Sequence, residues 1–250
     1  MSKASPAWGA GGTYLTTEMF VGLQGSFAGS QSQLPTFCHY LSTSMLTTET
    51  AVLTVPEAAA ARRSIRRFRQ EPIDRDDLDL IFESVRLAPS AFNVQPWRFV
   101  VVTDPALKAE LSAAANGQPQ VASAPAVIVL YTDMAAVLDG LEDVMHPGVP
   151  SEKRASGVAG FRKNWASKSD DDREQWGASQ GYIALGYLLL AASSYGYATS
   201  PMLGFDPEKV KAALGLPAHV RIPALVAIGI ADEEGFPHHR HAVDTLVSYR

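Results

Sequence analysis

Cysteine is nearly absent. Cys38 is the only one in 250 residues, so the chain can hold neither a disulfide framework nor a metal site built on thiolates. Charge is sparse as well, at 19 %, and the balance is acidic: 21 Lys and Arg against 26 Asp and Glu give a formal net charge of −5 with the six histidines neutral. A molecule with that balance has no general attraction for nucleic acid. Several nucleotide signatures are missing. No GxGxxG follows a strand and no GxxxxGK[ST] is present, which excludes a Rossmann dinucleotide site and a P-loop. No GxSxG comes with a candidate triad, which removes the common serine hydrolases. The N-terminus lacks the basic, apolar and small-residue regions of a secretory signal, so a cytoplasmic location is expected.

What is present suits a folded chain. Hydrophobic residues make up 46 %, a globular rather than a disordered composition. A chain of this length buries roughly 70–75 % of its unfolded surface without covalent help. Residues 1–50 differ from the rest: Lys3, Glu18 and Glu49 are their only charged side chains, and no helical or alternating period persists. We read 1–50 as a poorly ordered N-terminal extension and 51–250 as the folded domain. Loss of solubility on deleting residues 1–44 would count against this division.

From Val55 helix and strand alternate. Pro56 opens an alanine-rich turn over 56–63. Asp74 caps a helix in which Leu78, Ile81, Phe82 and Val85 recur at helical spacing, and Pro89 stops it. Residues 98–102 read as a strand and 104–115 as a helix with Pro105 in its first turn. The run Ala126–Thr132 (AVIVLYT) reads as a strand covered on both faces. Asp206 caps a helix over 207–214 that Gly215 ends, and 222–230 is a second buried strand.

No Lys, Arg, Asp or Glu occurs between Glu174 and Asp206. Its length and its Gly177/Gly181 pair invite a transmembrane reading. Against that stand Ser179, Gln180, Ser193 and Ser194 and the lack of flanking basic clusters. The expectation is a helix over 176–197, apolar all round and buried on every side, at a domain centre or between subunits.

Two segments carry chemistry. In Arg62-Arg63-Ser64-Ile65-Arg66-Arg67-Phe68-Arg69, five of the 21 cationic side chains fall within eight residues. Guanidinium forks suit phosphate oxygens. A solvated basic face or a nucleic-acid arm is the plain alternative, but Ile65 and Phe68 interrupt the run, which favours a structured anion site. The second segment is Ala88-Pro89-Ser90-Ala91-Phe92-Asn93-Val94-Gln95-Pro96-Trp97. Its prolines fix both ends, and Ser90, Asn93 and Gln95 can donate and accept along the edge of a planar heterocycle; taken alone it could equally be a self-satisfied turn. The histidines at 238, 239 and 241 suggest a metal, yet no HExxH or paired carboxylates accompany them. No metal site is expected.

The order of these segments resembles the flavin-dependent nitroreductase family: Arg-Arg-Ser-x-Arg, Pro72-Ile73, an amphipathic helix, APSxxNxQPW, the long apolar helix, Ala198–Asp206 and the 222–230 strand. The likeness covers about residues 55–250. It implies an α+β nitroreductase-like fold, a mixed, mainly antiparallel sheet flanked by helices, in an intertwined homodimer with FMN at the interface. By resemblance, Arg62, Arg63, Ser64 and Arg66 match the segment on the phosphate, ribityl chain and pyrimidine edge. Pro89, Ser90 and Asn93 match a loop from the partner subunit. Ser200, Pro201, Leu203 and Gly204 match the backbone passing the flavin ring, and Arg240 a C-terminal arginine returning to the phosphate. Relatives often carry a lysine two positions before that arginine; here it is His238. Residues 139–172 match the region shaping the substrate pocket, with Phe161 and Trp165 as candidates. The implied activity is ping-pong electron transfer from NAD(P)H through FMN to a small electron-poor acceptor such as a nitroaromatic or quinone, with no catalytic side chain. Other uses of the same fold stay open: dehalogenation, dehydrogenation, flavin fragmentation, or flavin binding without turnover. The Glu, Tyr and Lys lid of dehalogenating relatives has no counterpart after Val102.

Overall fold

The computed structural model describes residues 52–250; the extension read over 1–50 lies outside them. Four strands form one sheet: β1 (Trp97–Val102), β2 (Ala126–Thr132), β3 (Ala198–Met202) and β4 (Arg221–Gly229). Their order is β1-β2-β4-β3 and every neighbour is antiparallel, with Val100 opposite Val129, Val129 opposite Leu225 and Ser200 opposite Ala227. Among the described residues the parallel component is confined to an isolated bridge from Ser64 to Thr199.

Alternation along the central strands sorts two cores. Ile128 and Leu130 of β2, with Val226 and Ile228 of β4, pack on Ile81 and Val85 of α2 (Arg75–Val85) and on Ala184 and Leu188 of α8 (Asp170–Ser194). Their neighbours Val127, Val129, Leu225 and Ala227 face the other way. There they meet Leu111 of α3 (Pro105–Ala114), Val121 of α4 (Pro119–Ser123) and Val210 of α9 (Pro207–Leu214). Burial of both faces is why β2 reads as an unbroken apolar run. A third cluster joins Val94, Met134, Val137, Leu141 and Val158 beneath α5 (Met134–Asp139), α6 (Leu141–Val144) and α7 (Ser151–Ala166). At the two ends of the described chain lie α1 (Val55–Ala61) and α10 (Val243–Leu246).

The caps form as expected. Asp74 Oδ1 accepts from the Asp76 N–H at 3.0 Å, Asp206 accepts from Glu208 and Lys209, and Gly215 takes a left-handed φ of 63°. The long helix differs from its expectation at both ends and in its burial, and it stops at Ser194 rather than at 197. It begins at Asp170, capped by Ser169, because Asp170, Asp171 and Asp172 favour a helix N-terminus even though they lie before the uncharged stretch. It is also not buried all round: Tyr182, Ile183 and Tyr187 are 48 %, 38 % and 40 % exposed along one flank. Its Gly177/Gly181 pair serves close helix–sheet approach, since a Cβ at Gly177 would lie 2.7 Å from Met134 and one at Gly181 2.9 Å from Thr132. No helix among the described residues is long and apolar enough to cross a membrane.

Near that approach Glu174 is buried and its Oε1 accepts the Met134 N–H at 2.7 Å. Burial pushes its carboxyl up to about 7; the Met134 N–H opposes the shift and the Asp133 carboxylate adds to it.

Candidate functional site

The basic run is an extended strap along the sheet. Ile65 and Phe68 are buried, 3 % and 4 % exposed, so the intervening arginines must project outward. Ser64 bridges Thr199 on the free edge of β3, and the Ile65 N–H donates to Thr199 O at 3.1 Å. Phe68 bridges Ala231, and the Arg69 N–H reaches Ile230 O at 2.9 Å. This pairing separates the segment from a solvated nucleic-acid arm.

The arginines divide by role. Arg63 turns back onto the end of α1, its Nη1 donating to the carbonyls of Ala60, Ala61 and Arg62 at 2.7, 3.1 and 2.9 Å, and lies 2.6 Å from His238 Nε2. Arg66 is exposed and its N–H donates to Glu233 Oε1 at 2.6 Å. Arg62 is half-buried and its Nη1 is buried without an acceptor among the described residues. Burial lowers its pKa from the usual arginine range, and the nearby charges of Arg240 and Arg63 lower it further. The structure therefore gathers Arg62, Arg63, Arg240 and His238 with no carboxylate paired to them among the described residues. Such a group is built to accept an anion. The C-terminal segment reaches it past Gly235, whose φ is +70°; a Cβ there would come within 2.9 Å of Ile65 and 3.1 Å of Arg63.

Beside the strap, the edge strand β3 carries Ser200, 3 % exposed, and Pro201, whose missing N–H an edge position tolerates. Leu203 is exposed, and the Gly204 carbonyl accepts from Asn116 Nδ2 at 3.1 Å and Gln118 Nε2 at 2.9 Å. The backbone at 203–204 is thus pinned while its side-chain face stays open.

The proline-bounded loop is held elsewhere. Gln180 of α8 accepts the Ala91 N–H at 2.9 Å, and Asn93 Nδ2 donates to Val144 O, at the end of α6, at 2.9 Å. Ser90 Oγ accepts the Gln95 N–H at 3.0 Å, while Pro89 and Asn93 are exposed. Phe92, Asn93 and Gln95 all have positive φ (56°, 59° and 42°). Asparagine tolerates that region, but the phenylalanine and glutamine do not adopt it without strain. Phe92 is 72 % exposed and meets Phe161 edge-on at 5.4 Å. The two rings border a cleft of about 350 Å³ whose other walls include Leu141, Met145 and Asn164. Trp165, expected in the pocket, does not line this cleft. It is buried, 5.7 Å from Phe161 and 4.7 Å from Trp176, because the indole packs on the helix underneath.

Sequence reading missed Glu233, Gly235 and Gln180, which position the recognised groups. Glu233 carries a faint signal as an acid just beyond a strand in a protein with a basic run to hold; the other two carry none.

The nitroreductase family model matches residues 59–230. An NADH dehydrogenase of Thermus thermophilus is 49 % identical over 199 residues, covering 80 % of this chain and 97 % of that protein. YdgI of Bacillus subtilis, named as an NAD(P)H nitroreductase, is 31 % identical over 78 % of this chain and 96 % of its own length. A protein of Exiguobacterium sibiricum crystallised in complex with FMN superposes with a TM-score of 0.73 at 27 % identity, over 81 % of this chain and all of that one. The match spans strap, loop, long helix and both central strands, and the chain belongs to the nitroreductase family.

Proposed function

We propose that the protein is an FMN-dependent oxidoreductase of the cytoplasm. It takes electrons from NAD(P)H and passes them to small electron-poor acceptors, nitroaromatics and quinones among them, as a homodimer. The observation that carries this reading is the Arg62 guanidinium, half-buried beside Arg63 and Arg240 with one nitrogen lacking an acceptor. A phosphate monoester answers that arrangement: it supplies the missing acceptor and relieves the repulsion among the cations. The donor set therefore fits FMN, and the relative crystallised with FMN supports the choice. The name of the Thermus relative supports NADH as the donor.

When bound, FMN supplies hydride chemistry, taking two electrons from the nicotinamide and delivering them to the acceptor in a separate half-reaction. The chain's own groups bind, orient and exclude water. Arg62 and Arg240 hold the phosphate. Arg63, its Nη1 occupied by carbonyls of α1 and by His238, fixes the angle at which the strap leaves the helix. Ser64 and Arg66 face the polar side of the cofactor, where a positive group stabilises charge that builds on the pyrimidine edge. The pinned backbone of Ser200, Pro201, Leu203 and Gly204 gives the ring a rigid wall. Pro89, Ser90 and Asn93 belong to the partner's site: α8 and α6 hold their loop, not the strap, so a second chain completes the pocket. The exposed Tyr182, Ile183 and Tyr187 supply the apolar flank for that contact. Phe92 and Phe161 border the cleft that selects flat, uncharged acceptors. Substrate protons come from solvent.

Anaerobic stopped-flow reduction of the purified protein tests this. The yellow chromophore should bleach with NADH or NADPH and return on adding a quinone or nitroarene. Protein that binds no flavin, or holds flavin that neither nicotinamide bleaches, would refute it.

A further inference from the structure

Three side chains far apart in sequence meet where β2 ends: Asp133, Glu174 near the start of α8, and His219 in the loop before β4. One ligand atom from each lies within 4.8 Å of the other two. His219 Nε2 is 3.1 Å from Asp133 Oδ1. Glu174 is only 3 % exposed, and while its Oε1 accepts the Met134 N–H, its Oε2 is buried and takes no hydrogen bond of sound geometry among the described residues, although the Ala135 N–H also favours the ionised carboxylate. Thr132, next to Asp133 and fully buried, also has an unpartnered Oγ1, which lies 3.7 Å from where a Cβ of Gly177 would stand, on the same stretch of α8. No lysine or arginine compensates the two carboxylates among the described residues. Arg173 pairs with Asp170, and Arg221 with Asp171.

We propose that Asp133, Glu174 and His219 bind one divalent first-row transition-metal ion, Zn2+ or its chemical neighbours, which clamps the start of α8 to the end of β2 and the loop before β4. A dication balances the two carboxylates and gives Glu174 Oε2 the partner that burial denies it. One imidazole and two carboxylates form a donor set suited to zinc, manganese or cobalt, whereas calcium and magnesium prefer oxygen alone. Ligands at about 2.0–2.2 Å from a common ion stand roughly 3–3.5 Å apart. Closing from at most 4.8 Å thus takes a shift of up to about 1.3–1.8 Å, within reach of the His219 side chain, which is 35 % exposed. Water supplies the remaining donors.

The test uses the full-length, flavin-loaded protein, stripped with a chelator and desalted. Equilibrium dialysis against Zn2+ with elemental analysis should give one equivalent per chain. At zinc a hundredfold above Kd the Tm should rise by about 5–10 °C. Co2+ should give the visible bands of a four- or five-coordinate site above the flavin absorption. Glu174→Gln keeps a carbonyl for the Met134 N–H, and His219→Ala removes a partly exposed ring, so both should fold; each should weaken binding at least tenfold. The double variant His239→Ala/His241→Ala should keep its equivalent. Unchanged affinity in Glu174→Gln and His219→Ala, loss of binding in the tail variant, or a purely hexaaqua cobalt spectrum would each overturn the site.

Discussion

Glu233 accepts the Arg66 N–H through Oε1 at 2.6 Å and faces Arg67 Nε through Oε2 at 3.4 Å. The Arg66 N–H, with Arg67 adding, holds this carboxyl below the usual carboxylate range. Glu233 thereby grips the strap's backbone and one outward arginine, and among the described residues no carboxylate pairs with Arg62, Arg63 or Arg240.

Glu233→Ala should loosen the strap without removing any group assigned to the phosphate. The expected result is a several-fold rise in the FMN dissociation constant, read by quenching of flavin fluorescence, with little change in the thermal midpoint of the apoprotein. Glu233→Gln keeps the backbone acceptor and should lie near wild type. Equal losses in both variants would mean that the charge, rather than the hydrogen bond, sets the strap.

Arg62 and Arg63 are neighbours with different work. Arg62→Ala removes the guanidinium that lacks an acceptor and should weaken flavin binding by roughly tenfold to a hundredfold, the scale of a charge-assisted phosphate contact. Arg63→Ala instead frees three carbonyls at the end of α1. It should lower the apoprotein midpoint more than it lowers flavin affinity. Calorimetry and flavin titration on the pair separate the two effects.

Much of this arrangement was legible beforehand because local rules set it. The caps at Asp74 and Asp206 and the breaker at Gly215 depend on a few adjacent residues, and the two-faced burial of β2 is written in AVIVLYT. The two segments proposed to carry the chemistry are visible for a similar reason, since each is contiguous. What failed depends on residues brought together from afar. The long helix was read from its apolar stretch, which hid three N-terminal aspartates and the open flank. Trp165 is a pocket candidate by resemblance, and only the folded chain shows it buried against Trp176 and outside the cleft lining. The meeting of Asp133, Glu174 and His219 spans 86 residues from first to last and has no spacing motif.

Ile183 lies on the open flank of α8, 38 % exposed. A charge there costs a single chain little, but in a subunit interface it would be buried without a counter-ion. Ile183→Glu should therefore convert a dimer into a monomer in sedimentation or light scattering, retain its helical circular dichroism, and lose flavin because the partner's Ser90–Asn93 loop departs. A variant that remains dimeric and flavin-loaded would place the interface elsewhere.

Glu174 gives the protein a pH dependence whose sign follows from its burial. Its folded pKa, about 7, lies above the ordinary value of 4.5, so between those limits the native state holds a proton that the unfolded chain has released. The stabilisation is complete below about pH 4.5, declines as pH rises through the window and is gone above 7. For metal-free protein in chelator, Glu174→Gln should remove this component, because the amide is neutral throughout and still offers an acceptor to the Met134 N–H. The difference between wild type and variant should change by about 2 kcal/mol from pH 5 to pH 8, with the variant gaining, since each unit of pKa shift corresponds to roughly 1.4 kcal/mol. Urea midpoints at four pH values measure it. Parallel curves for the two proteins would show that Glu174 is ionised in the folded state, with its Oε2 reached by a donor when the chain is in solution.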